Sequence, residues 1–559
     1  MIRIRGQFVT PQAFAINAEV LHDVQVSVGD IKINSDNTKT TWTIPAKANR
    51  DIVLNAKLKL ASSSWRPKSS DFVYQKQDLQ IIPAQAELPE GYRVESYLPP
   101  RDNYGREQLF EALGLAVAED GTIVVATRTA GIWRIVKGEW QLFAEGVFDS
   151  LGVLIEDKKG LQLVVGQKAE LTRITDTNSD GRADKFETLF DAHSYHGNYH
   201  AYMHGPARGS DGAYYIALNL SHSDEAVYKA GGMYMGTSGG LSGWAIRVTP
   251  EGKYELWANG LRSPAGIATA PDGRLWYSDN QGEFVATSKI FVLKKDAFYG
   301  HPSGLVDLPG MTPDSPQIAW EKVREKRQKA VILLPQNRVA NSPGHPVWDT
   351  TDGRFGPFSR HMFIGDQTQS NLLRVVTETV DGIEQGVVIP FAAGLESGVM
   401  RPVFLADGSL LLGQTGRGWQ AKGGHVASLQ RIVRDKQTLP ASIFTVTTRA
   451  DGFEIKFTKP VLAAPESAQP LKLSSWVYRD APDYGSEVMD EHEELIKSLA
   501  WSDDKTSLFV RLASTKQANI HPQQTARVYH FSVDAKTLFG EEAPHSLEAY
   551  YTLYRFPAN

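Results

Sequence analysis

One short phrase recurs along this chain and restricts its fold more than any other feature. In residues 262–282, RSPAGIATAPDGRLWYSDNQG, a polar entry at Arg262 and Ser263 leads into an apolar run through Ile267. A Pro271-Asp272-Gly273 turn, a second apolar run through Trp276 and a polar exit at Asp279-Asn280-Gln281 follow. Asp-Gly between two apolar runs is a strong hairpin signal, because glycine accepts the positive φ that the turn requires. The phrase returns in varied wording at 114–128, 152–167, 204–219, 355–367 and 402–414. About six copies of one strand pair match the blade number of a β-propeller.

In each copy the second run ends on a polar residue: Arg128, Gln167, Asn219, Gln281, Gln367 and Gln414. If the copies are equivalent, these ends gather around one axis on one face. A ring of amides and guanidinium groups around a funnel reads as a binding site; the alternative is that strands simply end in polar loops.

A length of 559 residues predicts two to four domains. Residues 1–88 read as an N-terminal β-domain, since the run from Asp51 to Leu60 alternates as a half-buried strand does. Residues 83–91 read as a linker and 89–435 as the propeller. A lone strand at Tyr92–Leu98 would close the ring by pairing with the last blade and so remove an exposed edge. Residues 221–243 and 302–343 are too long for ordinary blade loops. Residues 436–559 read as a C-terminal β-sandwich-like domain, with clean alternation at Phe453–Phe457 and a long acidic, aromatic loop at Tyr478–His492. Packing against the propeller is the expected role of this domain, with docking or carbohydrate recognition as the alternative. The expected fold is thus all-β: a six-bladed β-propeller flanked by N-terminal and C-terminal β-sandwich-like domains.

A formal net charge of -5 with no basic block argues against nucleic acid as a partner. The absence of cysteine excludes disulfides, thiolate metal sites, iron–sulfur clusters and covalently attached haem. The opening MIRIRGQFVTPQAF lacks the apolar run of a signal peptide, and no stretch approaches the ~18 apolar residues of a membrane span.

Residues 176–187, DTNSDGRADKFE, space hard oxygen ligands as calcium loops do. Asp176, Asn178 and Asp180 alternate, Arg182 could offer its carbonyl, Asp184 acts directly or through water, and Glu187 falls at the bidentate position. The expectation is a calcium loop within a hairpin, with a metal-free Asp-Gly turn as the alternative. Residues 193–204, HSYHGNYHAYMH, concentrate histidines. His196, His200 and His204 share a face in either strand or helix, which brings zinc or copper to mind. Gly197 and Gly205-Pro206 discourage a helix and a strand spreads the rings, so one catalytic histidine, His200, with hydrogen-bonded companions is preferred; a set of satisfied interior histidines is the alternative.

From about residue 91 to 433 the chain resembles the glucose/sorbosone dehydrogenase family, the six-bladed quinoprotein propellers that use pyrroloquinoline quinone (PQQ), and especially its divergent planctomycete, verrucomicrobial and bacteroidete branch. The phrases that carry the resemblance are GNYHAYMHGPARGSDGAYYIALN, NGLRSPAGIATAPDGRLWYSDNQG, AFYGHP, HMFIGDQTQSNLLRV and RPVFLADGSLLLGQTGRGW. The resemblance implies that His200 is the general base toward a sugar hydroxyl and that Arg262 and Arg401 face the carboxylates of the cofactor. It also implies a periplasmic or extracellular setting. Ser263 stands where the family usually has Asn, and no lysine is clearly placed to contact the quinone. Ser263, Gln281, Gln367, Gln414 and Arg417 complete the expected cofactor-binding set, with Trp419 as an aromatic platform beside the bend at Gly416-Arg417-Gly418.

Three function classes follow. The first is a quinoprotein that oxidises a saccharide or sugar-like alcohol and passes electrons to a separate acceptor. The second is a redox-free lyase or lactonase in which His200 and Tyr199 or Tyr202 act as base and acid, with Arg262 or Arg401 neutralising a uronate. The third is a propeller that binds a glycan or protein without chemistry.

Overall fold

The structure, a computed structural model, describes backbone and side chains for most of residues 76–558 and the backbone of the strands within residues 2–58. Outside the described set in the first of these ranges are 103–104, 195–199, 223–234, 237–239, 313, 418–419, 463–469, 516–525 and 541–546. The chain divides into two compact units, one made by residues 1–75 and the other holding the propeller and the C-terminal domain. In the first unit, Ile2–Ile4, Ile52–Leu58 and Leu21–Val26 form one sheet, and Gln12–Asn17, Lys39–Ile44 and Lys32–Ser35 form another.

Five of the six phrases fold as a strand pair, while in 355–367 only the second run, Met362–Asp366, is a strand. Pro264–Thr269 pairs antiparallel with Leu275–Asp279 across a turn in which Gly273 adopts a φ of 85°. Ser288–Leu293 and Ile332–Leu334 complete that blade. Six such four-stranded sheets succeed one another, with inner strands at Ala112–Val117, Gly152–Ile155, Met203–Arg208, Pro264–Thr269, Pro343–Trp348 and Val399–Phe404. Each inner strand packs against the next, and the last packs against the first, so the ring is closed. The strands crowd the axis: a Cβ on Gly266 would lie 2.3 Å from the Cα of His345. The second strand of a blade is covered on both faces by neighbouring blades. Ile123–Thr127 and Tyr214–Leu218 are therefore buried at every position and read as continuous apolar runs.

The ring is sealed as expected. Tyr92–Tyr97 forms the outer strand of blade six and pairs with Ala427–Arg434 in the register Gln430↔Ser96. Two readings need correction. The expected linker contains a strand, Ile81–Ala84, which extends blade six, and Gln77–Asp78 likewise extends blade one. Blade five begins at Pro343, inside what read as the end of an insertion, because Pro343 and Pro346 interrupt the β pattern. Proline is tolerated there because the inner strand is the edge of its sheet.

The C-terminal domain is a sandwich. Leu547–Leu553, Arg527–Val533, Leu471–Tyr478 and Val488–Glu493 form one sheet, and Ile443–Arg449, Gly452–Phe457, Ser507–Leu512 and Ile496–Trp501 form the other. Phe453, Phe531 and Tyr551 pack between them. The first sheet continues blade five, because Leu547–Leu553 pairs with Ile383–Ala392 in the register Val387↔Tyr551. The expected long loop at 478–492 is shorter than read, since Val488–Glu493 is a strand. Among the described residues no helix is long and apolar enough to cross a membrane.

Candidate functional site

At one mouth of the ring the exits of the second strands meet the entries of the first. In five blades the residue just past the last paired position donates its backbone N–H to the residue just before the inner strand. The pairs are Arg128 to Glu111, Asn219 to Tyr202, Asn280 to Ser263, Gln367 to Ser342 and Thr415 to Gly398. These hydrogen bonds make Arg128, Asn219, Asn280, Gln367 and Thr415 structural equivalents, and all five line one cavity of about 80 Å3. His200, Tyr202, His204 and Arg417 share that lining. A neighbouring lobe of about 200 Å3 shares His200, Ser263, Asn280 and Ser342 and adds Arg262, Gln281, Gln336 and Tyr484.

Of the ring expected from sequence, Arg128, Asn219 and Gln367 line this cavity and two members are displaced. Gln281 lies one residue beyond Asn280; it lines the second lobe, where its Nε2 donates to the carbonyl of Ala286 at 3.1 Å. Gln414 lies one residue short of Thr415 and turns into its blade, donating to Oε1 of Gln430 at 3.0 Å. A shift of one residue along a strand moves a side chain to the opposite face. Gln167 is spent on the backbone N–H of Phe148 and on Oγ1 of Thr172. A signal for the correct register is present in the sequence. Asp279 and Asp366 each accept both N–H groups of the dipeptide that opens their blade, Arg262-Ser263 and Asn341-Ser342. Aligning those aspartates places Asn280 opposite Gln367. Burial pushes both carboxyls up to about 6 despite those N–H groups.

The cations of the cavity carry acidic partners. Arg128 meets Asp149 at 2.8 Å and Glu111 at 3.6 Å, and donates to the Tyr202 hydroxyl. Arg417 meets Glu111 at 2.8 Å. Arg262, only 3% exposed, meets the buried Glu283 at 2.8 Å. A lysine that sequence reading did not single out packs on one of the lining side chains: the Lys168 ammonium lies 4.9 Å from the centre of the Tyr202 ring. The Oδ1 atoms of Asn219 and Asn280 and Oε1 of Gln336 are buried without a hydrogen-bond partner among the described residues. Each is an acceptor that a ligand donor would satisfy.

Arg401 lies apart from this set. Its guanidinium is buried at the axis, donating to the carbonyls of Leu151, Ala265 and Met400 at 2.9, 2.7 and 2.9 Å and to Nδ1 of His204 at 2.9 Å. It lines the opposite mouth, a cavity walled by the inner strands and including Ile267, His345 and Val403. Burial with no acidic partner pushes its pKa down to about 9. The expectation that Arg401 faces a ligand carboxylate beside His200 is thus not what the geometry provides. Since a guanidinium only donates, Nδ1 of His204 accepts and the ring proton sits on Nε2. Burial and the Arg401 charge keep that imidazole neutral, well below its ordinary pKa. His204 is therefore a hydrogen-bond donor in the cavity, which leaves His200, common to both lobes, as the candidate base. Tyr199 and Trp419 lie outside the described residues.

The expected calcium ligands also have other partners. Asp176 accepts from the N–H groups of Asn178, Ser179 and Gly181, Asn178 from Asp180, Asp180 from Arg182, and Asp184 from Thr177. Arg182 approaches Glu145 at 3.6 Å, and Glu187 stands on the following strand, opposite Arg173 and paired with Lys185. Among the described residues no group of three or more His, Asp or Glu side chains converges as a metal centre would. The loop closes on its own N–H groups.

A quinone with three carboxylates requires fixed cations. Arg128 and Arg417 in one lobe and Arg262 in the other supply three, and to that extent the residues fit PQQ.

A family described as a domain of unknown function, DUF7133, matches residues 137–371. No curated protein matches the chain. Among solved structures the chain is similar to an oxidoreductase (glucose dehydrogenase) of Thermus thermophilus, at 19% identity, 61% of this chain, 100% of that chain and a TM-score of 0.43. It is also similar to the PQQ-bound aldose sugar dehydrogenase of Streptomyces coelicolor, at 16% identity, 64% of this chain, 98% of that chain and a TM-score of 0.42. The PQQ domain of a pyranose dehydrogenase from Coprinopsis cinerea is similar at 13% identity, 63% of this chain, 97% of that chain and a TM-score of 0.44.

Proposed function

We propose that this chain is a carbohydrate-active oxidoreductase that oxidises a hydroxyl group of a saccharide-type substrate in the cavity shared by His200 and the strand-exit ring. The observation that carries the reading is the convergence of Arg128, Asn219, Asn280, Gln367 and Thr415 on the cavity that contains His200. Amide and hydroxyl groups with partnerless oxygens at Asn219, Asn280 and Gln336 suit a ligand rich in hydroxyl donors. His200 takes the proton of the reacting hydroxyl, and the neutral His204 donates from Nε2 to a ligand oxygen. Arg262, Arg417 and Arg128 would hold the carboxylates of a PQQ-type quinone. When bound, that quinone supplies the two-electron acceptor, and a separate acceptor then takes the electrons onward.

The test is reconstitution with PQQ and a sugar panel, read by reduction of an artificial dye. His200→Ala is expected to lower turnover by ~10²- to 10⁴-fold while uptake of PQQ, read by absorbance, is unchanged. Absence of both PQQ uptake and dye reduction in the unaltered protein would remove the oxidoreductase reading.

One observation favours a second reading. Because Glu111, Asp149 and Glu283 already compensate Arg128, Arg417 and Arg262, the cavity also suits a neutral saccharide handled without redox chemistry, either by a lyase or lactonase or by simple binding. Product formation or sugar binding without added quinone would support it.

A further inference from the structure

We infer that the C-terminal domain completes the cavity, with Tyr484 as the aromatic surface on which the ring of a saccharide ligand stacks; this rests on the saccharide reading above. The segment 479–487 joins two strands of the C-terminal sandwich, Leu471–Tyr478 and Val488–Glu493, yet lies along blade four of the propeller. Three main-chain hydrogen bonds fasten it. Phe284 donates to the carbonyl of Pro482 at 3.3 Å, Gly485 to Gly282 at 3.1 Å, and Ser486 to Ala286 at 2.9 Å. At its root the buried Asp480 pairs with Arg327 at 2.5 Å. The fit is close, since a Cβ on Gly485 would come within 3.0 Å of the Gln281 amide. A loop anchored in this way holds its side chains in fixed positions rather than sampling solvent.

The side chain so held is a phenol ring that stays 53% exposed and lines the lobe containing His200, Asn280 and Gln336. The Arg262 guanidinium sits 5.1 Å from its centre. An aromatic ring held against a cation and half exposed at a polar cavity offers an apolar surface among groups that offer hydrogen bonds. That combination matches a pyranose, whose C–H face is apolar and whose edge carries hydroxyls for the partnerless amide oxygens of Asn280 and Gln336. A short polyol has the hydroxyls without the flat face. Recognition of ring sugars over open-chain polyols would then depend on a residue outside the propeller.

The experiment is calorimetric titration of the full chain with D-glucose, D-galactose and cellobiose as ring probes and glycerol as the open-chain probe. Tyr484→Ala is expected to weaken ring-sugar binding by about tenfold or more and to leave glycerol unchanged. Tyr484→Phe keeps the ring and is expected to stay within about threefold of the unaltered protein. Far-ultraviolet circular dichroism and melting curves check that both variants keep the fold, as an exposed position allows. Equal affinity of Tyr484→Ala and the unaltered protein for a ring sugar overturns the inference while leaving the saccharide reading intact. Failure of the unaltered protein to bind any ring probe overturns both.

Discussion

The two mouths of the propeller are built from opposite ends of the same inner strands, and they hold their arginines in different ways. At the mouth that contains His200, Arg128, Arg262 and Arg417 each face a carboxylate. At the axis toward the other mouth, Arg401 is clamped by three carbonyls and an imidazole with no acid beside it. A guanidinium that spends part of its five N–H groups on a carboxylate keeps the others for a ligand. One that braces neutral acceptors cannot leave without exposing all of them. The first kind belongs to a site, the second to a frame.

The largest expected effect tests the frame. Arg401→Ala strands three carbonyls and frees Nδ1 of His204, so a stability loss of at least ~3 kcal/mol in chemical denaturation is expected. A loss below ~1 kcal/mol would erase the contrast between the two mouths. Arg262→Ala leaves Glu283 buried without its cation, at an expected cost of about 3 kcal/mol, and adding Glu283→Gln is expected to recover much of it. No recovery in the double variant would mean that Arg262 acts through packing rather than pairing.

A middle-sized effect belongs to the loop after blade two's third strand. Asp176→Ala removes the acceptor for three N–H groups, and about 1–3 kcal/mol of stability should go with it. Melting curves with calcium and with chelator decide the loop's chemistry. A calcium-dependent melting temperature would restore the metal reading; the geometry predicts none.

The pH dependence follows from Asp279 and Asp366, whose carboxyls burial pushes up to about 6. Between the unfolded value of ~3.9 and about 6 the folded state binds more protons than the unfolded one, so their contribution to stability falls as pH rises through that window and is level above it. Asp279→Asn is expected to flatten the decline seen in denaturation curves between pH 4 and 6, and an unaltered slope would show that the carboxyl titrates normally. The smallest effect sharpens the site: Arg417, whose side chain is 36% exposed, should cost under ~1 kcal/mol as Arg417→Ala while weakening binding of an anionic ligand.

The propeller was legible because a two-faced buried strand has a continuous apolar run and its turn demands a glycine; both are local. The site was legible only in part, for reasons of register and distance. Gln281 and Gln414 attract attention as amides, but the hydrogen bonds from Asn280 to Ser263 and from Thr415 to Gly398 show which positions are equivalent. Inner strands such as Pro343–Trp348 hide because edge strands accept proline. Tyr484 reaches the cavity from a different domain, through contacts that sequence spacing does not record. The compensation of each arginine by Glu111, Asp149 or Glu283 is invisible for the same reason.

The seam at blade six sets a condition on synthesis. Gln430 hydrogen-bonds to Ser96 across 334 residues, and the strand from Tyr92 to Tyr97 must wait for its partner. As the chain leaves the ribosome, blades one to five can form in turn, each on its predecessor, while this early strand has only Ile81–Ala84 beside it and its other edge stays open. Premature termination anywhere before about residue 434 would release an open arc with an unmatched strand edge, a species prone to aggregate. Blade five also keeps an open edge until Leu547–Leu553 arrives from the C-terminal domain, so the hazard on incomplete copies ends with that last strand rather than with the final blade.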